Sequence, residues 1–357
     1  MSENNILVIN PGSTSSKLAL YQGQQEVMAS NIEHSKEELS GFEKITDQLD
    51  LRVEYIRKFL KENNVKITDL DAVVGRGGLL KPIPGGTYQV NDKMLEDLKA
   101  GLQGEHASNL GGLIADTLAA EADAKAFIVD PVVVDELDEL ARLSGHPLFE
   151  RKSIFHALNQ KAVARNYASE IGKKYEEITV IVAHLGGGIS VGLHSEGKVI
   201  DVNNALAGEG PFSPNRSGGL PTLDLANYCY EPENDYNDVK KKLLGSGGVV
   251  AYLNTNDMRE VEEKAEAGDQ EADLIYSGMA YQVAKEIGSL APVVKGKVDA
   301  IILTGGIAYS DYFVNQIKDQ AGYLAPIKVY PGEEEMSALA AGAQRVLTDQ
   351  EEAKIYQ

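Results

Sequence analysis

Tryptophan is absent from this chain of 357 residues, and cysteine occurs once, as Cys229. A single thiol excludes an intrachain disulfide and a zinc site built on several cysteines, and it suits a reducing compartment. Basic residues are scarce: 34 Lys and Arg face 54 Asp and Glu, a formal net charge of −20 at pH 7. Such a balance argues against nucleic-acid binding through a general basic surface. No apolar run approaches the roughly 18 residues of a membrane-spanning helix, so no membrane partner is expected. The opening Met1-Ser2-Glu3-Asn4-Asn5 has neither the basic nor the apolar region of a secretory signal, and a cytoplasmic location is expected. The acids gather in helix-like stretches at 33–69 and 257–273, where they read as solvated faces.

Glycine, by contrast, is in excess: 35 residues, about a tenth of the chain, against about 7% in average proteins. Its placement reveals an internal repeat. An apolar strand at 6–9 leads to polar Asn10, a turn with Gly12, an alternating strand at 17–21 and a turn at Gln22-Gly23. The same order recurs as a strand at 178–183, His184, the turn Gly186-Gly187-Gly188, an alternating strand at 189–193 and a turn at Glu196-Gly197. Asn10 and Gly23 are matched by His184 and Gly197 at one constant offset. A second matched pair follows: Asp71-Ala72-Val73-Val74 before Gly77-Gly78, and Asp299-Ala300-Ile301-Ile302 before Gly305-Gly306. Each half therefore opens with an antiparallel meander and returns to a further strand. Helical spacing at 49–63, 110–122, 272–290 and 336–347, and from a Ser153 cap to about 172, fills the gaps. Strands alternating with helices, twice over, predict two α/β domains with mixed sheets, their tight turns facing each other across a cleft suited to a phosphate-bearing ligand.

Two familiar phosphate motifs fail. Gly192 and Gly197-Lys198 fit the spacing of a P-loop, but Val199 replaces the required Ser or Thr, and the segment reads as strand–turn–strand. Gly186-Gly187-Gly188 runs into an alternating strand, with no helix start to hold a pyrophosphate. What remains is three glycine-rich turns between strands. Pro11-Gly12-Ser13-Thr14-Ser15-Ser16-Lys17 offers hydroxyls, backbone amides and a cation; Gly186-Gly187-Gly188 and Gly305-Gly306 let backbone amides approach an anion.

With Ala183-His184-Leu185-Gly186-Gly187-Gly188 and Leu303-Thr304-Gly305-Gly306-Ile307, these segments resemble the acetokinase family, part of the superfamily of acetate and sugar kinases, heat-shock chaperones and actin. The resemblance covers essentially the whole chain. It implies two duplicated actin-like (ribonuclease H-like) domains, each a mixed five-stranded sheet flanked by helices, with a cleft between them. Residues 1–154 with 334–357 would form the carboxylate and Mg²⁺ side, and 155–333 the nucleotide side. It implies reversible transfer of a phosphoryl group from ATP to a short carboxylate, giving an acyl phosphate and ADP, with Mg²⁺. A homodimer or larger homo-oligomer is also implied.

Site residues carry over one by one. Arg76, in Gly75-Arg76-Gly77-Gly78, and Arg216, in the Pro/Gly-rich loop 211–219, match two catalytic arginines, whose forked donors suit carboxylate and phosphoryl alike. His156, after Phe155, matches a histidine that hydrogen-bonds the transferring phosphoryl, and a helix start would favour its neutral form. His184 matches a phosphate-contacting histidine, and His106, followed by Asn109, another active-site histidine. Asp130 matches an aspartate near Mg²⁺ and the carboxylate. An ionised carboxylate needs no general base, so an orienting or metal-water role is expected for it. Asn10, Ser13, Ser15 and Lys17 would face metal and transferred phosphate. Gly186, Gly187, Gly188, Gly305 and Gly306 would approach ATP. Glu334 or Glu335 would help Asn10 hold Mg²⁺, and the residues do not separate the two. His34, His146 and His194 match nothing and are left structural.

Departures from the acetate-specific pattern bear on the acid. Gly78 stands where those enzymes carry valine and is expected to open space near the substrate methyl, beside His106 and Phe155. Butyrate is therefore expected over acetate, with isobutyrate, valerate and propionate as neighbours, because a buried methylene is worth only about 0.8 kcal/mol. A branched-acid kinase, an acetate or propionate kinase, a sugar kinase and a non-enzymatic actin-like ATPase are the competing readings.

Overall fold

The computed structural model describes residues 3–357; Met1 and Ser2, at the head of the N-terminal segment discussed above, lie outside it. Two compact units divide the chain: Met1–Val134 with Glu334–Gln357, and Asp135–Glu333. In chain order the strands are β1 (Asn5–Pro11), β2 (Ser15–Gln22), β3 (Gln25–Glu33), β4 (Ala72–Arg76), β5 (Thr87–Gln89), β6 (Lys125–Val129), β7 (Thr179–Leu185), β8 (Ile189–Ser195), β9 (Lys198–Val202), β10 (Ala300–Gly305), β11 (Ile327–Pro331) and β12 (Lys354–Ile355).

The repeat read from the sequence is a repeat of topology. In the first unit β1 pairs antiparallel with β2 and parallel with β4, and β4 pairs parallel with β6. In the second, β7 pairs antiparallel with β8 and parallel with β10, and β10 pairs parallel with β11. The sheet orders are β12-β5-β6-β4-β1-β2-β3 and β11-β10-β7-β8-β9. The second sheet has the five strands expected. The first has the matching five plus β5 and β12 along the β6 edge, the β12 edge being anchored by buried Tyr356, whose hydroxyl donates to Asp97 at 2.8 Å. Covering an edge in this way removes unpaired backbone groups from solvent.

The central strands are apolar because both faces are covered. Ile6, Leu7, Val8 and Ile9 of β1, and Val180, Ile181 and Val182 of β7, have no exposed surface. The helix Asn109–Ala122 lies so close to β4 that backbones touch: a Cβ at Gly75 would sit 2.1 Å from Gly111 O, and one at Gly111 2.1 Å from Arg76 O. Two glycines thus set where Arg76 leaves the sheet.

Two expectations are corrected. Residues 135–154 belong with the second unit: Asp138 N donates to Ile200 O at 2.9 Å, and Arg151 pairs with Asp201 and Glu209 at 3.0 and 3.3 Å. The helix expected from Ser153 begins at Ala157, with His156 at its N-cap. Ser153 is buried upstream, and the His156 ring turns to a neighbouring strand instead of capping. No described helix is long and apolar enough to cross a membrane.

Candidate active site

In the first unit, β1 and β4 run side by side and end together, presenting Asn10 and Arg76. The C-terminal helix Glu335–Leu347 starts beside them. Arg76 grips the Glu335 carboxylate through both arms, Nη2 to Oε1 at 2.9 Å and Nη1 to Oε2 at 3.1 Å. Asn10 Nδ2 donates to the same Oε2 at 2.6 Å. Of the two glutamates, Glu335 joins Asn10 and Arg76, whereas Glu334 is the exposed N-cap of the helix.

The first turn is closed by Gly12 N donating to Ser15 O at 2.7 Å. Ser13 and Lys17 are exposed on it and Ser15 is half-buried. Beneath lies a residue the sequence reading missed. Arg52, fully buried, donates to Ser15 O at 2.9 Å, Ser16 Oγ at 3.1 Å and Ser13 O at 3.3 Å. Gln48 Oε1 holds its other edge at 2.9 Å, and burial brings the guanidinium pKa down to about 10, so it remains a cation at neutral pH. The signal was available: Arg52 stands four residues before Ile56, on the helix's own apolar stripe.

Asp130 is buried at the end of β6 with a φ of +37°, outside the comfortable range for a side chain. Its Oδ1 accepts from Gly86 N at 2.7 Å, so one carboxylate oxygen is committed to shaping a loop. His106 Nδ1 lies 2.8 Å from Ser108 Oγ. Burial, and then the charge of Arg76, hold its pKa below the usual imidazole value. Gly78 does not open space. A Cβ there would lie 2.6 Å from Asn109 Cα and Oδ1 and 2.7 Å from Leu98 Cδ2. This glycine admits the helix, and Asn109 then ties the strand exit down by accepting from Leu79 N at 2.8 Å.

In the second unit, His156 and His184 stack with ring centroids 3.8 Å apart and planes 13° from parallel. His184 is buried at the end of β7; its Nδ1 meets Asn159 Oδ1 at 2.8 Å. Its Nε2 lies 3.2 Å from Glu333 Oε1 yet makes no hydrogen bond, so a buried nitrogen is left wanting a partner. Arg216 lies across Gly188, where a Cβ would be 1.8 Å from Nη1, and donates to Ala205 O at 2.6 Å. Burial lowers its pKa. Ser213 Oγ donates to Gly187 O at 2.7 Å, fastening the arginine's loop to the glycine turn.

The glycines therefore differ in purpose. Gly188 makes room for Arg216, and Gly305, at φ +91°, for the Leu185 backbone 2.4 Å from its absent Cβ. A Cβ at Gly186 would press on His184 Nε2 at 3.0 Å. Gly187 and Gly306 have nothing within 4 Å. Both line a cavity of about 750 Å³ within the second unit, with Met258, Tyr276, Ile307 and Tyr309 among its walls. Phe155 is fully buried in the same unit.

The family model of the acetokinase family matches residues 146–355, more than half of the chain. The chain belongs to the acetokinase family. Its members are kinases using ATP, and this chain is one of those enzymes. It is 56% identical to butyrate kinase 1 of Clostridium acetobutylicum over 351 residues, 98% of this chain and 99% of that protein. A probable butyrate kinase of Clostridium botulinum is 54% identical over the same shares. Among solved structures, the acetate kinase of Porphyromonas gingivalis covers 96% of this chain and all of its own at 18% identity, with a TM-score of 0.78. A propionate kinase of Francisella tularensis gives 0.76 at 21% identity, covering 95% of this chain and 98% of its own. At those identities the two structures speak to fold, and the acetokinase fold is the one described above.

Proposed function

We propose that the protein transfers the γ-phosphoryl group of ATP to butyrate, giving butyryl phosphate and ADP, and runs in reverse to make ATP. The observation that carries the acceptor is the near-full-length likeness to butyrate kinase 1. Gly78 adds nothing to the acid pocket, since Asn109 and Leu98 fill that space. A carboxylate oxygen attacks the γ-phosphorus as the bond to the bridging oxygen of ADP breaks. The acid is already ionised at neutral pH, so no proton need move. Catalysis is then alignment and charge.

Arg76, two of whose donors hold Glu335, would turn its remaining N–H groups to the acid carboxylate and the passing phosphoryl. In the second unit Arg216, His156 and His184 face the transferring group, and His184 Nε2, when it carries the ring proton, would find its partner in a phosphate oxygen. The open amides of Gly187 and Gly306 accept close approach of the triphosphate, and the cavity takes the nucleoside. Ser13, Ser15 and Lys17 line the first turn toward phosphate. Asp130, with one oxygen committed to Gly86, orients rather than acts as a base.

The donor set fits Mg²⁺. No cluster of three His, Cys, Asp or Glu exists among the described residues, and Mg²⁺ asks for none: it takes one or two carboxylates and leaves the rest to phosphates and water. Glu335 and Asn10 would hold it, and it would neutralise charge on the phosphate oxygens. The reading also includes a cytoplasmic enzyme working as a homodimer or larger assembly. Acyl-hydroxamate formation tests the site: Arg76→Ala and Arg216→Ala should each lower kcat by about 10²–10³-fold while ATP still binds by calorimetry. Normal turnover in both would end the assignment.

A further inference from the structure

Behind His156 runs a line of buried polar side chains that phosphoryl transfer, as described, does not use. Its directions can be read from one backbone carbonyl. Gln160 Nε2 lies 3.0 Å from Ser190 O and 2.8 Å from Ser190 Oγ. A carbonyl only accepts, so the amide nitrogen faces Ser190 and Oε1 faces the other way. There Oε1 meets His194 Nε2 at 3.0 Å, so that nitrogen carries a proton. His194 has no exposed surface. Burial, and then the charges of Lys161 and Arg165, hold it far below its ordinary pKa and therefore neutral. Its Nδ1 is bare and accepts from the Tyr175 hydroxyl at 2.8 Å.

At the other end, Ser190 Oγ already accepts from Gln160, and weakly from His156 N at 3.5 Å. The acceptor within reach of its own proton is His156 Nδ1, 2.9 Å away. His156 Nδ1 is therefore an acceptor, and the neutral ring has its proton on Nε2.

We propose that Tyr175, His194, Gln160 and Ser190 form a directed hydrogen-bond chain that locks His156 as the neutral imidazole protonated at Nε2, a ready donor to the transferring phosphoryl group. They are positioning residues: none is placed at the reacting atoms. The contrast is His184, whose partner Asn159 leaves its own Nδ2 unpartnered and could be turned over without losing a bond. No backbone group orients Asn159 in the way that the carbonyl of Ser190 orients Gln160 behind His156.

The inference rests on the assignment of His156 to the phosphoryl group, and the test separates the two. Long-range proton–nitrogen correlation spectra of the ¹⁵N-labelled enzyme report which imidazole nitrogen is protonated, with His156→Gln identifying the His156 signals. The expected result is the Nε2–H tautomer for His156 in the wild type. Ser190→Ala should mix the tautomers and lower kcat by roughly 10–100-fold, with KM for ATP within about two-fold. Ser190→Thr, which keeps the hydroxyl, should restore a single tautomer and most of kcat. A wild-type His156 protonated at Nδ1, or a Ser190→Ala enzyme with wild-type kcat, overturns the chain. If His156→Gln turns over normally, the assignment to phosphoryl falls instead, and the tautomer spectrum still decides the chain by itself.

Discussion

Replacing Gly188 by alanine should lower turnover by about 10²–10³-fold while leaving the fold almost intact. The new methyl would lie 1.8 Å from Arg216 Nη1 and 2.7 Å from Cζ, with Ala205 O at 3.3 Å. The first two atoms are the far end of a flexible side chain, so the guanidinium swings away and the strand stays. The move breaks the bond from Nη1 to Ala205 O. A charged hydrogen bond of this kind contributes about 1.5–3 kcal/mol, and Gly→Ala at a compatible position returns about 0.4–1 kcal/mol. A net loss of roughly 1–2 kcal/mol moves Tm by a few degrees in units of this size. The rate is another matter. A guanidinium displaced from the developing charge costs about 10²–10³-fold in kcat. The assay is hydroxamate formation at saturating ATP, with Gly188→Ala, Arg216→Ala and the double variant in parallel. Because both act through one group, the double variant should be no slower than Arg216→Ala alone. Wild-type kcat in Gly188→Ala, or fully additive losses, would refute the placement of Arg216.

Arg52→Ala strips donors from Ser13 O, Ser15 O and Ser16 Oγ; it should destabilise the first unit by about 3 kcal/mol in urea unfolding and raise KM for ATP. Gly78→Ala meets the Asn109 backbone at 2.6 Å, so Tm should fall by the equivalent of about 1–3 kcal/mol with no shift of acid preference toward acetate. His34, His106 and His194 all have lowered pKa values, each chiefly through burial. Below the ordinary imidazole pKa of 6.5 the unfolded chain takes up protons that the folded chain refuses. Their contribution is therefore complete above that pH and drains away beneath it. Urea midpoints should fall from about pH 7.5 to about 5.5, and a flat or rising midpoint would contradict this.

The meanders were legible because β1 and β7 are continuous apolar runs ending in polar residues and glycine, the pattern of strands buried on both faces. The two extra strands were not: β5 has three residues and β12 two, too short to show a period. The strand-end positions of Arg76 and His184, the helix-start position of His156 and the loop position of Arg216 were legible through motifs. Their supports were not, because support is long-range. Gln160, behind His156, reaches Ser190 and His194 far along the chain; Arg52, under the first turn, showed itself only by its place on an apolar stripe, where a buried arginine is rare. Glycine was the residue most easily misjudged. The sequence says that a side chain is missing; only packing says whether a helix, as at Gly78, an arginine, as at Gly188, or open space, as at Gly187, takes its place.

Phosphoryl transfer from ATP to butyrate is tested by kcat/KM across straight and branched acids of two to five carbons, with glycerol and a hexose as controls. Butyrate should give the highest value, with isobutyrate, valerate and propionate trailing by modest factors, since each methylene contributes about 0.8 kcal/mol. Acetate as the best acid, or phosphorylation of a control hydroxyl in place of any acid, would contradict it.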